Sequence, residues 1–123
     1  MIKDVIWVGI GGFVGSVGRY LLNIALIHQN WPLPWPTLFI NLSGSVLIGV
    51  LMAITYQGNH YWRLLLVTGF CGGFTTFSTF SYENLRLWQE GHGQVAFLYS
   101  LMSLLGGIAG VAGGFYLTQK LLY

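Results

Sequence analysis

The chain has 123 residues, 54% of them hydrophobic and only 7% charged. An average soluble domain carries about 25% charged residues, so the expectation is a single domain whose main solvent is lipid rather than water. Five basic and three acidic residues, spread singly, give a net charge of +2 and no patch dense enough for nucleic acid; the lone Cys71 excludes an internal disulfide and a thiol pair for a metal.

A helix needs about 20 apolar residues to cross a hydrocarbon core about 30 Å thick. Four windows meet this, at about 5–27, 36–56, 62–88 and 94–122. The first is too long and too continuous for a cleaved signal peptide and is read as a retained span. Within it Gly9, Gly12, Gly15 and Gly18 recur every three residues, with Gly11 and Gly15 four apart; such faces let helices approach closely where lipid provides no hydrophobic push. GIGGFVG is no nucleotide motif, because the third glycine of G-x-G-x-x-G falls on Val14 and no strand precedes it. Arg19 is the only fixed charge deep in a span, a functional candidate or a side chain snorkelling to the interface.

The Pro-punctuated HQNWPLPW connects to the second span, where NLSGS places Asn41, Ser43 and Ser45 in an otherwise apolar helix. A buried amide needs partners, and Asn41 is suited to an ion or to a broken neighbouring segment. After the polar QGNHY comes the third span, which contains GFCGGFTTFSTFSYE. Paired glycines at mid-span predict a break near 72–76, and unsatisfied backbone is tolerated at that depth only inside protein or along a polar cavity. The hydroxyls of Thr75, Thr76, Ser78, Thr79 and Ser81 follow, with Thr75 and Thr79 expected on one helical face and Ser78 and Ser81 on another. Phe77 and Phe80, three apart, offer ring edges, whose positive rim can touch an anion without trapping it. Singly, each of these has an ordinary packing role; packed into ten residues, they point to an ion path. Glu83, toward the wet end of the helix, borders a vestibule rather than the pore.

QEGHG leads into the fourth span, where Tyr99 and Ser103 share a face with Ser100 beside them, and Gly106, Gly110 and Gly114 form a ladder joined by Gly107 and Gly113. Trp31, Trp35, Trp62, Trp88, Tyr56 and Tyr61 fall at span ends, where amphipathic rings settle at the headgroup level. For orientation, Lys3, Arg63 and Lys120 stand against Arg86 and Arg19. So small a bias permits insertion both ways and an antiparallel pairing of two copies.

The GGFTTFSTFS run, the NLSG of the second span, the Gly-rich first span ending in GRYLL and the four-span length together closely resemble the Fluc (CrcB) fluoride channels of bacteria, over essentially the whole chain. The resemblance implies an all-α, multi-pass protein of the bacterial inner membrane: an antiparallel dual-topology homodimer that passes fluoride passively and protects the cell from it. It further implies a structural sodium ion at the dimer centre, held by the backbone carbonyls of Gly72 and Thr75. The pore residues it implies are Asn41, Phe77, Phe80, Ser78, Thr79, Tyr99 and Ser103, with Arg19 in the vestibule. One departure is visible: some members carry a further serine one turn beyond Ser103, where this chain has Gly107.

Three other readings compete. A small dual-topology multidrug or cation exchanger needs a carboxylate buried in a helix, and no Asp or Glu occurs between Val5 and Tyr82. A structural subunit would account for the glycine ladders but not for the hydroxyls and the break. An enzyme is the least supported, since His28, His60 and His92 fall in expected loops and no nucleophile and base pair suggests itself.

Overall fold

The computed structural model describes residues 1–27 and 30–123; His28, expected in the first loop, lies outside them. The described residues are helical apart from short connections. The elements are α1 (Ile2–Leu26), α2 (Trp35–Thr55), α3 (His60–Arg63), a π-helical segment (Leu64–Cys71), α4 (Gly72–Phe74), α5 (Phe77–Gln89) and α6 (Gly93–Leu122). From α3 to α5 they form one long, interrupted span, so four stretches, Ile2–Leu26, Trp35–Thr55, His60–Gln89 and Gly93–Leu122, are long and apolar enough to cross a membrane. The chain is a multi-pass membrane protein.

Local signals fix the ends. Pro36 opens α2, where a missing N–H costs nothing and φ is already helical. Asn59 caps α3 by accepting from the Tyr61 N–H at 2.9 Å. After α5, Gly91 adopts φ +81°, its N–H donates to the Trp88 carbonyl at 3.2 Å, and the His92 N–H donates to the Leu87 carbonyl at 2.7 Å. This is a Schellman stop, which a glycine in the left-handed region allows. It turns the chain straight into α6, and Gly93 gives room to the indole of Trp88, whose nearest atom would lie 2.6 Å from an added Cβ.

Glycine decides which helices touch. α1 packs against the π segment and α4, and α2 packs along α6. A Cβ at Gly15 would sit 2.9 Å from the Phe74 nitrogen, and one at Gly69 2.8 Å from the Val8 carbonyl oxygen, so backbone rests on backbone. Gly9 and Gly18 meet nothing within 4 Å; of the first span's glycines, the four-apart pair Gly11 and Gly15 makes the buried contact. On α6, Gly106, Gly110 and Gly114 face α2, while Gly113 is open.

The third span breaks later than its glycines suggest. The helix continues through Gly72 and Gly73 and opens only at Thr75 (φ −83°, ψ 156°) and Thr76 (φ −146°, ψ 119°), both extended. Gly73 serves packing, since an added Cβ would lie 2.5 Å from the Gly12 carbonyl oxygen and 3.0 Å from Ser16 Oγ. The bend falls instead on two consecutive β-branched residues, which favour extended backbone. A consequence is that Thr75 belongs to neither flanking helix and shares no helical face with Thr79. Leu38, Leu87, Ala96 and Tyr99 form the buried core, where α2, α5 and α6 meet. Large apolar side chains such as Phe13, Leu21, Leu104 and Ile108 point outward, as lipid contact requires.

Candidate ion path at the helix break

The break is held from α2. Asn41 Nδ2 donates to the Thr76 carbonyl at 2.9 Å, and Asn41 Oδ1 accepts from the Thr76 N–H at 2.8 Å. One amide side chain thus replaces the strand partner that a two-residue extended segment lacks. Thr76 in turn caps α5, its Oγ1 accepting from the Thr79 N–H at 3.2 Å and donating to Thr79 Oγ1 at 3.1 Å. Thr75 folds back, its hydroxyl donating to the Cys71 carbonyl at 2.9 Å. The carbonyls of Gly72 and Thr75 meet no donor among the described residues beyond helix-internal pairing, although both residues line a cavity. Backbone carbonyl oxygens are the ligand type that suits a hard cation.

That cavity, about 550 Å³, lies beside the break between α2, the π segment, α5 and α6. It brings Asn41, Phe77, Phe80 and Ser103 together with Gly72 and Thr75. The rings of Phe77 and Phe80 are 5.7 Å apart and tilted by 38°. Phe77 is 79% exposed although it stands at mid-span, so one wall of the cavity is open. No carboxylate is among the lining residues.

Other expected residues sit apart from this cavity. Thr79 lines a smaller cleft of about 180 Å³ with Arg19, Ser16, Thr37 and Thr76. The Nε of Arg19 is buried and has no hydrogen-bond partner among the described residues. Ser78 is exposed, its Oγ 3.3 Å from Thr76 Oγ1. Tyr99 is fully buried against Phe80, ring centroids 5.0 Å apart, and its hydroxyl donates to Glu83 Oε2 at 2.7 Å. Thr37 donates to Glu83 Oε1 at 2.6 Å. A single carboxylate therefore ties α2, α5 and α6 together, and the residue expected at a vestibule is paired with one expected in the pore. Glu83 also borders a hollow of about 400 Å³ with Asn23, Arg86 and Glu90, where Arg86 and Glu90 form an ion pair at 3.1 Å.

Two partners escaped the sequence reading. Thr37, Asn41 and Ser45 are spaced four apart and so form one polar stripe on α2; NLSGS alone groups Asn41 and Ser45 with Ser43, whose hydroxyl only donates back to the Ile40 carbonyl at 3.0 Å, and leaves Thr37 out. Asn84 accepts from the Ser100 hydroxyl at 2.9 Å and donates to the Phe80 carbonyl at 3.0 Å, bridging α5 to α6. Its position one turn after Phe80 was the available signal.

A family model described as "CrcB-like protein, Camphor Resistance (CrcB)" matches residues 6–115. A protein of Azobacteroides pseudotrichonymphae genomovar. CFP2 named "Fluoride-specific ion channel FluC" is 38% identical over 125 aligned residues, covering 97% of this chain and 98% of its own. Relatives with the same name in Leptospira interrogans (serovar copenhageni, strain Fiocruz L1-130) and Chlorobaculum tepidum are 42% and 43% identical, covering 96% and 97% of both chains. With a matching family model over nearly its full length, the chain belongs to the CrcB family.

Proposed function

We propose that this chain is a passive, fluoride-selective channel that exports fluoride across the bacterial inner membrane and so protects the cell from it. The observation that carries the proposal is the cavity at the break. It gathers hydroxyls, an amide and two phenyl rings at mid-span without a carboxylate, and relatives alike over the whole chain are named fluoride-specific channels.

Fluoride is small and strongly hydrated, so a path for it must replace water with donors that hold it weakly enough to let go. Ser103 is a free hydroxyl on the cavity wall. Phe77 and Phe80 present ring edges. Arg19, unpaired by any carboxylate among the described residues, concentrates anions at its cleft beside Thr79. Asn41 acts mainly by holding the break open, with both ends of its amide bonded to Thr76.

One copy leaves the cavity open at Phe77, and a second copy in antiparallel orientation is the cover we propose, in keeping with the weak charge bias. The carbonyls of Gly72 and Thr75 from both copies would hold a sodium ion at the centre. A bound cation there supplies positive potential without a lysine in the path. Movement of fluoride then follows the membrane potential.

The test is Phe80→Ile in fluoride-loaded proteoliposomes. Efflux falls while the protein elutes at the wild-type size; wild-type efflux from this variant would place the path elsewhere.

A further inference from the structure

α5 is a half-helix of 13 residues that starts at the break, so the helix before it does not fix its rotation about its own axis, and side chains must. Two consecutive residues of α5 grip two consecutive residues of α6. Glu83 accepts from the Tyr99 hydroxyl at 2.7 Å. Asn84 Oδ1 accepts from the Ser100 hydroxyl at 2.9 Å, while Asn84 Nδ2 donates to the Phe80 carbonyl at 3.0 Å. One grip would let the half-helix pivot; two adjacent ones set its turn.

The polarity of the second grip is forced. The Phe80 carbonyl only accepts, so the amide nitrogen of Asn84 faces it, the amide oxygen faces Ser100, and the serine gives the proton. Ser100 lines the cavity at the break, yet its one proton is committed to Asn84, so it is no donor to an anion there. What the pair does reach is Phe80. Asn84 lies one turn after Phe80 on the same face, and Ser100 follows Tyr99, whose ring meets that of Phe80 at 5.0 Å with a tilt of 54°. A phenyl ring is positive at its edge and negative on its face, so a modest turn of α5 changes what Phe80 offers an anion from attraction to repulsion.

We infer that Asn84 and Ser100 are a positioning pair for Phe80: they lock the turn of α5 against α6 and so hold the ring in place at the cavity wall. The pair acts on the anion only through that ring. Its role rests on the channel reading above and brings in two residues that the reading does not contain.

The experiment measures fluoride efflux from proteoliposomes for wild type, Asn84→Leu, Ser100→Ala and Ser100→Thr, and repeats the first two substitutions in a Phe80→Met background, with the size of each purified protein checked by gel filtration. A wild type that releases no fluoride overturns the channel reading and the positioning role with it. Given wild-type efflux, Asn84→Leu and Ser100→Ala are each slower by about threefold to tenfold, the weight of one hydrogen bond, while Ser100→Thr, which keeps the hydroxyl, stays close to wild type. The side chain that Phe80→Met installs is flexible and finds its own place, so in that background neither substitution slows efflux further. A further slowing by the same factor there overturns the positioning role, because a pair that only glues two helices acts whatever stands at position 80. Wild-type efflux from both single variants also overturns it and leaves the channel reading standing. So does a single variant that no longer elutes at the wild-type size, since the pair would then hold the fold rather than the ring.

Discussion

Asn41 shows what a single residue type announces and what it conceals. A lone amide in an apolar span must find partners, which marks it from sequence alone. That its partners are both backbone groups of Thr76 depends on a segment 35 residues away, and nothing local specifies it. Asn41→Asp removes the donor to the Thr76 carbonyl and sets a carboxylate facing that oxygen. We expect it to abolish fluoride efflux and to lower unfolding stability in detergent by about 1–3 kcal/mol, the cost of a buried group left unpaired. An Asn41→Asp protein as stable as wild type would show that the clamp does not hold the break. The same logic applies at Glu83, where Thr37 and Tyr99 both donate. Tyr99→Phe keeps the ring against Phe80 and removes one donor, and Thr37→Val removes the other. Each should lower thermal stability by about 1–3 kcal/mol, and additive losses in the double variant would show that the two hydroxyls act independently rather than through one carboxylate.

At the scale of elements, glycine spacing was legible and its meaning only partly so. A four-residue step puts Gly11 and Gly15 on one stripe, and that stripe is the one in contact; the three-residue series drifts around the helix and ends in open space at Gly9 and Gly18. Gly15→Val should therefore destabilise the fold by about 3 kcal/mol or more through overpacking against backbone that cannot retreat, whereas Gly18→Ala should be neutral. Melting curves in detergent separate the two, and equal melting points would contradict the packing. The break was legible as a need, because paired glycines and five hydroxyls fit poorly in an unbroken span. Its place was not. Gly73 is committed to α1 and Gly72 stays helical, so the chain opens at Thr75 and Thr76, where Asn41 waits. The π segment Leu64–Cys71 was wholly hidden. LLLVTGFC reads as ordinary helix, and where a wider turn is absorbed depends on register against α1 rather than on its own side chains. The Schellman stop at Gly91, by contrast, stands plainly in the glycines of QEGHG.

For the whole molecule, composition pointed to lipid and four apolar windows of spanning length to four spans, because lipid admits few other solutions. The ion path was harder to read, since its walls come from α2, the third span and α6 at once, and only packing brings Ser45 beside Gly107 or Tyr99 beside Glu83. The antiparallel second copy proposed as the cover over Phe77 predicts that tags on either terminus appear on both faces of the membrane. A uniform orientation in protease-protection experiments would contradict it. The most direct measurement takes liposomes loaded with equal fluoride and chloride and follows both ions after wild-type protein is incorporated. Fluoride is lost rapidly while chloride is retained if the chain is a fluoride-selective channel; equal rates for the two ions, or no loss of either, would contradict that function.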